Sequence, residues 1–314
     1  MELSALKNKI WEIFSVQNND LFSAVMEAAK NEQMLSSYCE LVGGDLNTDE
    51  LQKIFQYHYA DRKEKMQDYT PASLARLCAA ETKTDGNTVY DLCAGSGALT
   101  IQKWVESPNK VFICEELDER VIPLLLFNMA VRNMTGWVIN RNALTLETKL
   151  VYRLESGERF STIRKEDIAP EIAADEIISN PPYNIKWDAP EPLMADNRFS
   201  GKPIPTSANA NFAFVLTALS RMKETGRCAF ILPCGCLSSD AESEVREYLV
   251  SGGLVERVIL MPDKMFESTS IPTCVMVFSH GNKTVKFYDC RNRAEQEQRD
   301  QNGQFGGASH ENRT

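Results

Sequence analysis

Short apolar runs alternate with amphipathic segments from about residue 70 onward, and this alternation constrains the fold of the chain more than any other feature. The apolar runs have the length and residue types of buried strands, and the segments between them have helical spacing. Seven strands are predicted, at residues 88–94, 111–116, 137–143, 176–180, 227–233, 255–261 and 273–280. Helices are predicted at residues 97–105, 119–133, 211–223 and 240–250. Strands that are joined by helices run parallel in one sheet, so the sequence predicts an α/β fold with a doubly wound, mainly parallel seven-stranded sheet.

Three parts of the chain lie outside this pattern. Residues 1–66 have helical spacing and are predicted to form an N-terminal helical region that covers the sheet or binds a partner, while residues 67–290 hold the α/β domain. Residues 152–170 and 188–210 are predicted to be long irregular loops, a type of segment that is usually functional or mobile. The tail, residues 291–314, is polar and ends without a closing element, so it is predicted to be weakly ordered or truncated.

The composition limits the classes of function that the chain can perform. With 34 basic and 44 acidic side chains the net charge is −10, which opposes unaided binding to a polyanion. The nine cysteines contain no CxxC pair and there are three histidines, so no metal site is predicted. No apolar run approaches the roughly 18 residues that span a bilayer, and the N-terminus lacks the order of a signal peptide. A cytoplasmic protein without a membrane partner is therefore expected.

A glycine-rich loop follows the first predicted strand and precedes a helix. It runs from Asp91 to Gly97 with the sequence DLCAGSG. In α/β proteins this position holds an adenosine-containing cofactor, although the spacing is not GxGxxG and a pyrophosphate ligand is less favoured. Glu116 ends the second strand, where a carboxylate can accept both ribose hydroxyls, and Glu115 is the alternative register. The competing interpretation is a tight turn between a strand and a helix, with a solvated charge nearby.

The pair Thr70-Pro71 adds a third element just before the first strand. Thr at the N-cap and Pro at the first helical position predict the start of a helix. The N–H groups at a helix N-terminus can bind a carboxylate. Taken alone, the pair is an ordinary helix start.

The stretch "ISNPPYNIKW" ends the fourth strand with an Asn and two prolines. Proline cannot donate to a sheet ladder and fixes φ, so Pro181 and Pro182 end the strand and stiffen the turn. An exocyclic amine or an amide nitrogen is a poor nucleophile because its lone pair is delocalised. The Asn180 side-chain oxygen and the Pro181 carbonyl can hold both N–H protons of such a group. Tyr183 supplies a flat surface on which a planar substrate can stack.

The order of these motifs resembles that of the amino-methyltransferases that use S-adenosylmethionine. Asn180–Tyr183, Asp91–Gly97, Glu116 and Thr70-Pro71 carry this resemblance. The chain is most similar to N6-adenine DNA methyltransferases, specifically to the modification subunit of type I restriction-modification systems. The stretches "GRCAFILPCGCL", "VREYLVSGGLVERVILMPDKMF" and "STSIPTCVMVFSH" also resemble that subunit, so the likeness covers about residues 66–290.

The resemblance implies a Rossmann-like methyltransferase sheet, S-adenosylmethionine as cofactor and a flipped adenine in DNA whose N6 attacks the methyl group. The cofactor site that it implies comprises Thr70, Pro71, Asp91, Ala94, Gly95, Ser96, Gly97, Glu116, Asn142 and Asn180. The implied catalytic residues are Asn180, Pro181, Pro182 and Tyr183, and the implied base contacts are Tyr183 and Asn211. Neither a metal nor a covalent protein intermediate is required.

The sequence departs from the family pattern at two positions. The third strand of these proteins commonly ends in an acidic residue that meets the cofactor's adenine, whereas this chain has Leu144 there. Asn142 or the backbone is expected to substitute for that contact. Asn211 aligns with a residue near the target base, and its alternative role is that of a helix N-cap.

The resemblance also implies partners. The chain shows no separate target-recognition domain, so double-stranded DNA is expected to be read through a specificity subunit, and a restriction subunit is a further candidate. Two other functions compete with this one. A methyltransferase that acts on a protein glutamine amide uses a similar Asn-Pro-Pro-Tyr, and a catalytically silent scaffold retains the fold; Leu144 favours the scaffold slightly, and the intact motifs oppose it.

Overall fold

The fold is described from a computed structural model that covers most of the chain. The described residues are 3–16, 20–58, 70–187, 189, 195–266 and 270–291. The predicted boundary at residue 66, part of the predicted loop at 188–210 and all but the first residue of the predicted tail lie outside them. The division into a helical region and a separate domain therefore stays a prediction.

The strands of the described residues form one sheet. They are β1 (Thr88–Asp91), β2 (Val111–Glu116), β3 (Thr135–Arg141), β4 (Thr148–Glu155), β5 (Thr162–Glu166), β6 (Ala174–Ser179), β7 (Met222–Pro233), β8 (Val255–Leu260), β9 (Thr273–Phe278) and β10 (Lys286–Asp289). Their order across the sheet is β10-β8-β9-β7-β6-β1-β2-β3-β4-β5. The central strands β3, β2, β1, β6 and β7 run parallel, whereas β4, β5 and β9 are antiparallel to their neighbours.

Helices cover both faces of this sheet. They are α1 (Leu3–Ile13), α2 (Leu21–Ala28), α3 (Glu32–Leu41), α4 (Glu50–His58), α5 (Ala72–Glu81), α6 (Ala98–Glu106), α7 (Ile122–Val131), α8 (Asn211–Leu219) and α9 (Ser243–Ser251). One hydrophobic core joins α1–α7 to one face, and a second core joins α8 and α9 to the other. Neighbouring residues of β1 point to opposite cores, Val89 to the first and Tyr90 to the second, as the pleat of a strand requires. The predicted doubly wound α/β fold is confirmed.

The predicted strand count and one predicted loop are wrong. Within the described ranges the sheet has ten strands, not seven, and residues 152–170 contribute to the antiparallel strands β4 and β5 instead of forming an irregular loop. β5 forms the edge of the sheet and has one apolar side chain, Ile163, among five, while β4 beside it buries two of its eight side chains, Val151 and Leu154. The four residues of β10 at the other edge are exposed as well. A search for apolar runs therefore misses both edges.

The helices α1–α3 pack against α7 through aromatic side chains. The ring centroid of Phe127 lies 4.8 Å from that of Phe14 and 4.9 Å from that of Tyr38, with the Tyr38 ring edge-on. Every residue of α7 is buried, because this helix lies between the sheet and the N-terminal helices. The N-terminal helices thus share one core with the sheet.

The topology brings the predicted motifs to one edge of the sheet. The strands β1, β2, β3 and β6 are parallel, so their carboxyl ends meet there. The chain proceeds from β1 toward β2 and β3 on one side and later returns through β6 on the other side of β1. A crevice forms at such a switch point, which is where ligands bind in open α/β sheets. No helix of the described ranges is long and apolar enough to span a membrane.

Candidate active site

A cavity of about 780 Å³ lies at this carboxyl edge. The predicted site residues that line it are Thr70, Ala94, Gly95, Ser96, Glu116, Asn142, Asn180, Pro181, Pro182 and Tyr183. Four predicted site residues do not line it, namely Pro71, Asp91, Gly97 and Asn211. We call the wall formed by residues 92–96, 98, 99 and 116 the glycine-loop side, and the wall formed by residues 180–183 and 185–187 the proline-turn side.

The glycine-loop side leaves open space at Gly95. The φ angle of Gly95 is +56°, and a Cβ added there would meet nothing within 4 Å. Gly97 has φ +104°, but a Cβ there would lie 3.1 Å from Leu125 Cδ1, inside the protein. Both positions need glycine for the backbone conformation, and Gly95 alone of the two borders the cavity.

Glu116 holds this loop from the cavity side. Its carboxylate accepts hydrogen bonds from the backbone N–H of Gly95 at 2.8 Å and of Asp118 at 2.7 Å. Burial raises the pKa of Glu116, and these two backbone donors work against that rise. A carboxylate has about four acceptor positions, so Glu116 keeps capacity for hydroxyl donors of a ligand.

Glu115, the alternative register, points to the opposite face of the sheet. It accepts hydrogen bonds from the Tyr90 hydroxyl at 2.8 Å, from Arg141 at 2.7 Å and from Arg221 at 3.0 Å. Burial raises the pKa of Glu115 to about 7 against the opposing effect of Arg141. The two carboxylates are consecutive in β2, so only Glu116 can face the cavity.

Asp91 supports the loop from behind and does not line the cavity. Its Oδ2 accepts a hydrogen bond from the Thr100 hydroxyl of α6 at 2.8 Å, and its side chain is buried. Desolvation raises its pKa to about 7. Asp91 lies outside the cavity lining, so the idea that it fixes a cationic or hydroxyl group of the ligand stays a prediction.

Thr70 does not cap the helix that follows it. Pro71 occupies the N-cap of α5 with an extended backbone (φ −59°, ψ 144°), so the helix begins one residue later than predicted. The Thr70 hydroxyl instead accepts a hydrogen bond from Asn180 Nδ2 at 3.0 Å. Thr70 therefore links the segment before α5 to the proline-turn side.

The proline-turn side is built around Asn180. The Tyr183 hydroxyl donates to Asn180 Oδ1 at 2.8 Å, and the Tyr183 ring meets Phe266 edge-on with centroids 6.2 Å apart. Tyr183 is 7% exposed and lines the cavity. The Asn side chain, the stiff backbone of Pro181 and the aromatic ring predicted to act together do lie together.

Asn211 supports the turn after Tyr183 and is not an N-cap. It is the first residue of α8, and Ala210 occupies the N-cap. Its Oδ1 accepts from the Asn184 backbone N–H at 3.2 Å, and its Nδ2 donates to Asn184 Oδ1 at 3.1 Å. Asn184 has φ +53°, so this pair of hydrogen bonds secures a bend in the left-handed region.

The wall beside the third strand is mixed, since Ala143 and Leu144 lie there among the polar residues Arg141, Asn142, Thr145 and Lys149. Leu144 is buried and lines the cavity at the position where an acidic residue was expected. Asn142 Oδ1 accepts from the backbone N–H of Leu144 at 2.9 Å and of Thr145 at 3.2 Å. This side chain stabilises its own turn, and Leu144 presents apolar surface to the cavity.

Among the cavity residues that the sequence analysis missed, three are apolar residues close to the proline turn. Ile185, Trp187 and Phe214 line the cavity together with Tyr183. The Trp187 indole N–H donates to the Thr206 carbonyl at 3.0 Å, which orients the ring. Trp187 follows Tyr183 by four residues in the stretch "ISNPPYNIKW", and this proximity could have indicated its place in the site. Phe214 lies in α8, far from that stretch in the sequence, so no comparable indication was available. Among the described residues no group of three or more His, Cys, Asp or Glu side chains could hold a metal ion.

The fold and the cavity together define a class, the doubly wound α/β methyltransferases, in which a glycine-rich loop and an amine-holding turn border one crevice. The chain belongs to the N-6 DNA Methylase family, whose model matches residues 48–306. The family resemblance predicted from the sequence motifs is thereby confirmed.

Individual relatives agree with this assignment. The type I restriction enzyme MpnII methylase subunit of Mycoplasma pneumoniae is 32% identical over 223 residues, which are 67% of this chain and 39% of that protein. The structure of the type I restriction-modification system methyltransferase subunit from Streptococcus thermophilus has a TM-score of 0.62 and 26% identity, covering 91% of this chain and 67% of that one.

A third comparison concerns the fold alone. A Listeria monocytogenes protein described as a class I S-adenosylmethionine-dependent methyltransferase has a TM-score of 0.62 at 14% identity, covering 95% of this chain and 97% of that one. The curated methylase subunits are longer: the chain spans between 35% and 52% of the length of three of them.

Proposed function

We propose that the chain transfers a methyl group from S-adenosylmethionine to N6 of an adenine in DNA. The observation that carries this proposal is the common cavity of the glycine-loop side and the proline-turn side, with Asn180 and Gly95 both on its wall. S-Adenosylmethionine supplies a methyl group on a sulfonium, which is a good leaving group. The rest of the catalysis is positioning of the amine.

The glycine-loop side suits an adenosine-containing group. Gly95 leaves free space where any other residue would place a Cβ, and Glu116 has acceptor capacity for ribose hydroxyls. Leu144 and the exposed Leu117 offer apolar contacts for a planar base. Thr70, Ala94, Ser96 and Asn142 complete this part of the wall.

The proline-turn side suits a planar amine. Asn180 Oδ1 and the Pro181 carbonyl accept the two N–H protons of the target, while the base packs against Tyr183 and Trp187. As the amine nitrogen bonds to the methyl carbon, the S–C bond breaks with its electron pair on sulfur, and one N6 proton leaves to solvent. No protein group is bonded covalently in this step.

We also propose that the chain works with partners, as the catalytic part of a type I modification subunit. The net charge of −10 favours an accessory subunit that attracts and reads double-stranded DNA. The similarity to type I methylase subunits supports a specificity subunit in this role and a restriction subunit as a further component. Helices α1–α4 are the proposed partner surface, residues 67–290 the catalytic domain and the cytoplasm the proposed location.

The first test is a calorimetric titration of S-adenosylmethionine into the chain. Saturable binding is expected, and a folded chain that does not bind would overturn the proposal. The second test incubates the chain and the cofactor with duplex DNA and with a glutamine peptide, followed by mass spectrometry of both products. N6-Methyladenine is expected, and methylation of the peptide alone would establish the glutamine amide as substrate.

A further inference from the structure

The segment before α4 reaches the back of the glycine-rich loop. Asp49 Oδ2 accepts a hydrogen bond from the Ser96 hydroxyl at 2.7 Å. Both side chains are buried, Asp49 being 5% exposed and Ser96 1% exposed. Asp49 also accepts from the Gln52 backbone N–H at 2.9 Å, as a helix N-cap does. One carboxylate therefore joins the N-terminal helices to the loop that borders the cavity.

A buried arginine extends this contact into a closed ring of hydrogen bonds. Arg132 donates to the Leu46 carbonyl at 2.8 Å and to the Thr48 carbonyl at 3.0 Å, which fixes the segment that carries Asp49. The same guanidinium donates to the side-chain oxygen of Asn128 at 3.0 Å. Arg132 is 3% exposed, so its charge is held among protein acceptors.

Asn128 completes this ring of hydrogen bonds, because it connects Arg132 to the glycine-rich loop. Its Nδ2 donates to the Ser96 carbonyl at 2.8 Å, so both the side chain and the backbone of Ser96 are held. A second tie runs parallel to the ring, because Gln102 of α6 donates to the Asn47 carbonyl at 2.7 Å. Burial raises the pKa of Asp49, and the Ser96 hydroxyl is the foremost group that opposes this rise.

The loop is thus held from both of its sides. Glu116 binds the N–H of Gly95 on the cavity side, and Asp49 binds the adjacent Ser96 on the side of the N-terminal helices. Gly95 leaves the loop conformationally free, since glycine adopts positive and negative φ with similar ease. An N-cap role explains the contact to Gln52 but gives no reason for the contact to Ser96.

We propose that Asp49 is a positioning residue for cofactor binding, which holds the glycine-rich loop through Ser96 and makes cofactor affinity depend on the N-terminal helices. This inference rests on the proposed function, because it concerns the same cofactor site. Asp49 does not line the cavity, so it acts through Ser96 and not on the ligand.

The test titrates S-adenosylmethionine into the full chain and into Asp49→Asn, Ser96→Ala and the double variant. A dissociation constant about tenfold above that of the natural chain is expected for each single variant, since a hydrogen bond to a buried charge is removed. The double variant should resemble the single ones, because both changes break one contact and coupled residues are not additive.

The chain offers a matched control in Asp20→Asn. Asp20 caps α2 and accepts from the backbone N–H three residues on, as Asp49 does, but it is exposed and has no contact to the loop. Asparagine is a good N-cap, so both variants keep the cap and only one loses the carboxylate that faces Ser96. Asp20→Asn should bind the cofactor like the natural chain.

Three outcomes separate the proposals. If the natural chain is folded and does not bind the cofactor, the proposed function fails. If the natural chain binds, and the dissociation constants of both Asp49→Asn and Ser96→Ala lie within about twofold of its own, the positioning role is overturned. A twofold change in the dissociation constant is about 0.4 kcal/mol. Melting curves by circular dichroism accompany each titration; lower melting temperatures with unchanged affinity would also overturn it, because they indicate a purely structural contact.

Discussion

The two sides of the cavity are constructed differently. The glycine-loop side is held by residues that are far apart in the sequence, Asp49 to Ser96 and Glu116 to Gly95. The proline-turn side combines a local hydrogen bond between Asn180 and Tyr183, which are three residues apart, with distant contacts to Thr70 and Phe266. The first side therefore depends on distant contacts alone, whereas the second also has a stiff local backbone and a hydrogen bond within the turn. Changes on the two sides should have separable effects.

The largest effect is expected from Asn180→Ala. This variant removes the proposed acceptor for the target amine, so methyl transfer to duplex DNA should fall by roughly 10²–10³-fold, as when one preorganised hydrogen-bonding group is lost. Cofactor affinity should change little, because the glycine-loop side is intact. Turnover is measured with tritiated S-adenosylmethionine and affinity by calorimetry.

Asn197→Ala is the control for this variant, because Asn197 is exposed and lies outside the cavity lining. It should retain both turnover and affinity. Unchanged turnover in Asn180→Ala would show that the target is held elsewhere and would break the distinction between the two sides.

The next effect is expected from Gly95→Leu on the other side. The added side chain enters open space on the cavity wall, so the dissociation constant for S-adenosylmethionine should rise by about 100-fold, or about 2.7 kcal/mol. Calorimetry measures this constant, and the melting temperature reports the cost of the left-handed backbone, about 1–2 kcal/mol for a residue other than glycine.

Gly281→Leu separates the effect of backbone strain from the effect of a side chain that fills the cavity. Gly281 also has a positive φ (+78°) and open space around its Cβ position, but it lies near Gly253 at the amino end of β8, opposite the cavity. This control should lose a similar amount of stability and keep normal cofactor affinity. Normal affinity in Gly95→Leu would place the cofactor outside this wall.

The smallest effect concerns the buried carboxylate behind the loop. Desolvation raises the pKa of Asp91 to about 7 from the value near 3.8 expected for the unfolded chain. Between these two values the folded chain holds an extra proton, so the contribution of Asp91 to stability falls as pH rises through this window. The melting temperature of Asp91→Asn relative to the natural chain should therefore rise by about 3 °C between pH 4 and pH 8.

Asp175→Asn is the control for this pH dependence. Burial opposes ionisation of Asp175, but the hydrogen bond from Lys223 and those from the Thr88 and Asn87 backbones outweigh it and lower its pKa. Its contribution to stability is present above the unfolded value and is lost only below it. The difference between this variant and the natural chain should stay flat from pH 5 to pH 8. A flat difference for Asp91→Asn would indicate that its carboxyl group ionises normally.

The sequence predicted the central sheet and the positions of both walls because these elements carry local signals. Apolar runs mark β1, β2 and β6, and glycine and proline mark the two turns that border the cavity. The strands β4, β5 and β10 escaped prediction because β5 and β10, at the two edges, have no buried side chain and β4 has only two, so none of them carries the apolar run of a buried strand. The predicted seven strands are the buried part of a wider sheet.

The site residues divide in the same way. Glycine and proline constrain the backbone wherever they occur, so Gly95 and Pro181 were recognised from the sequence. The direction of a side chain depends on packing, which is why Asp91 and Asn211 were assigned to the cavity although they support it from outside. Asp49 and Phe214 could not be connected to the loop or the turn, because tertiary contacts alone bring them there. Trp187 could have been, because it follows Tyr183 by four residues.

Without a ligand, the Tyr183 hydroxyl already donates a hydrogen bond to Asn180 Oδ1, the proposed acceptor for the target amine. On the proposed function, an N–H of the target amine replaces the Tyr183 hydroxyl as the donor to this oxygen. Asn180 Oδ1 therefore keeps a hydrogen bond throughout, and the free energy of the exchange is close to zero. A flat ligand without an exocyclic amine cannot place two N–H donors on Asn180 and Pro181, so it gains less by displacing the hydroxyl. On the proposed function, the Tyr183 hydroxyl then favours bases with an exocyclic amine over thymine, whose single N–H belongs to the ring.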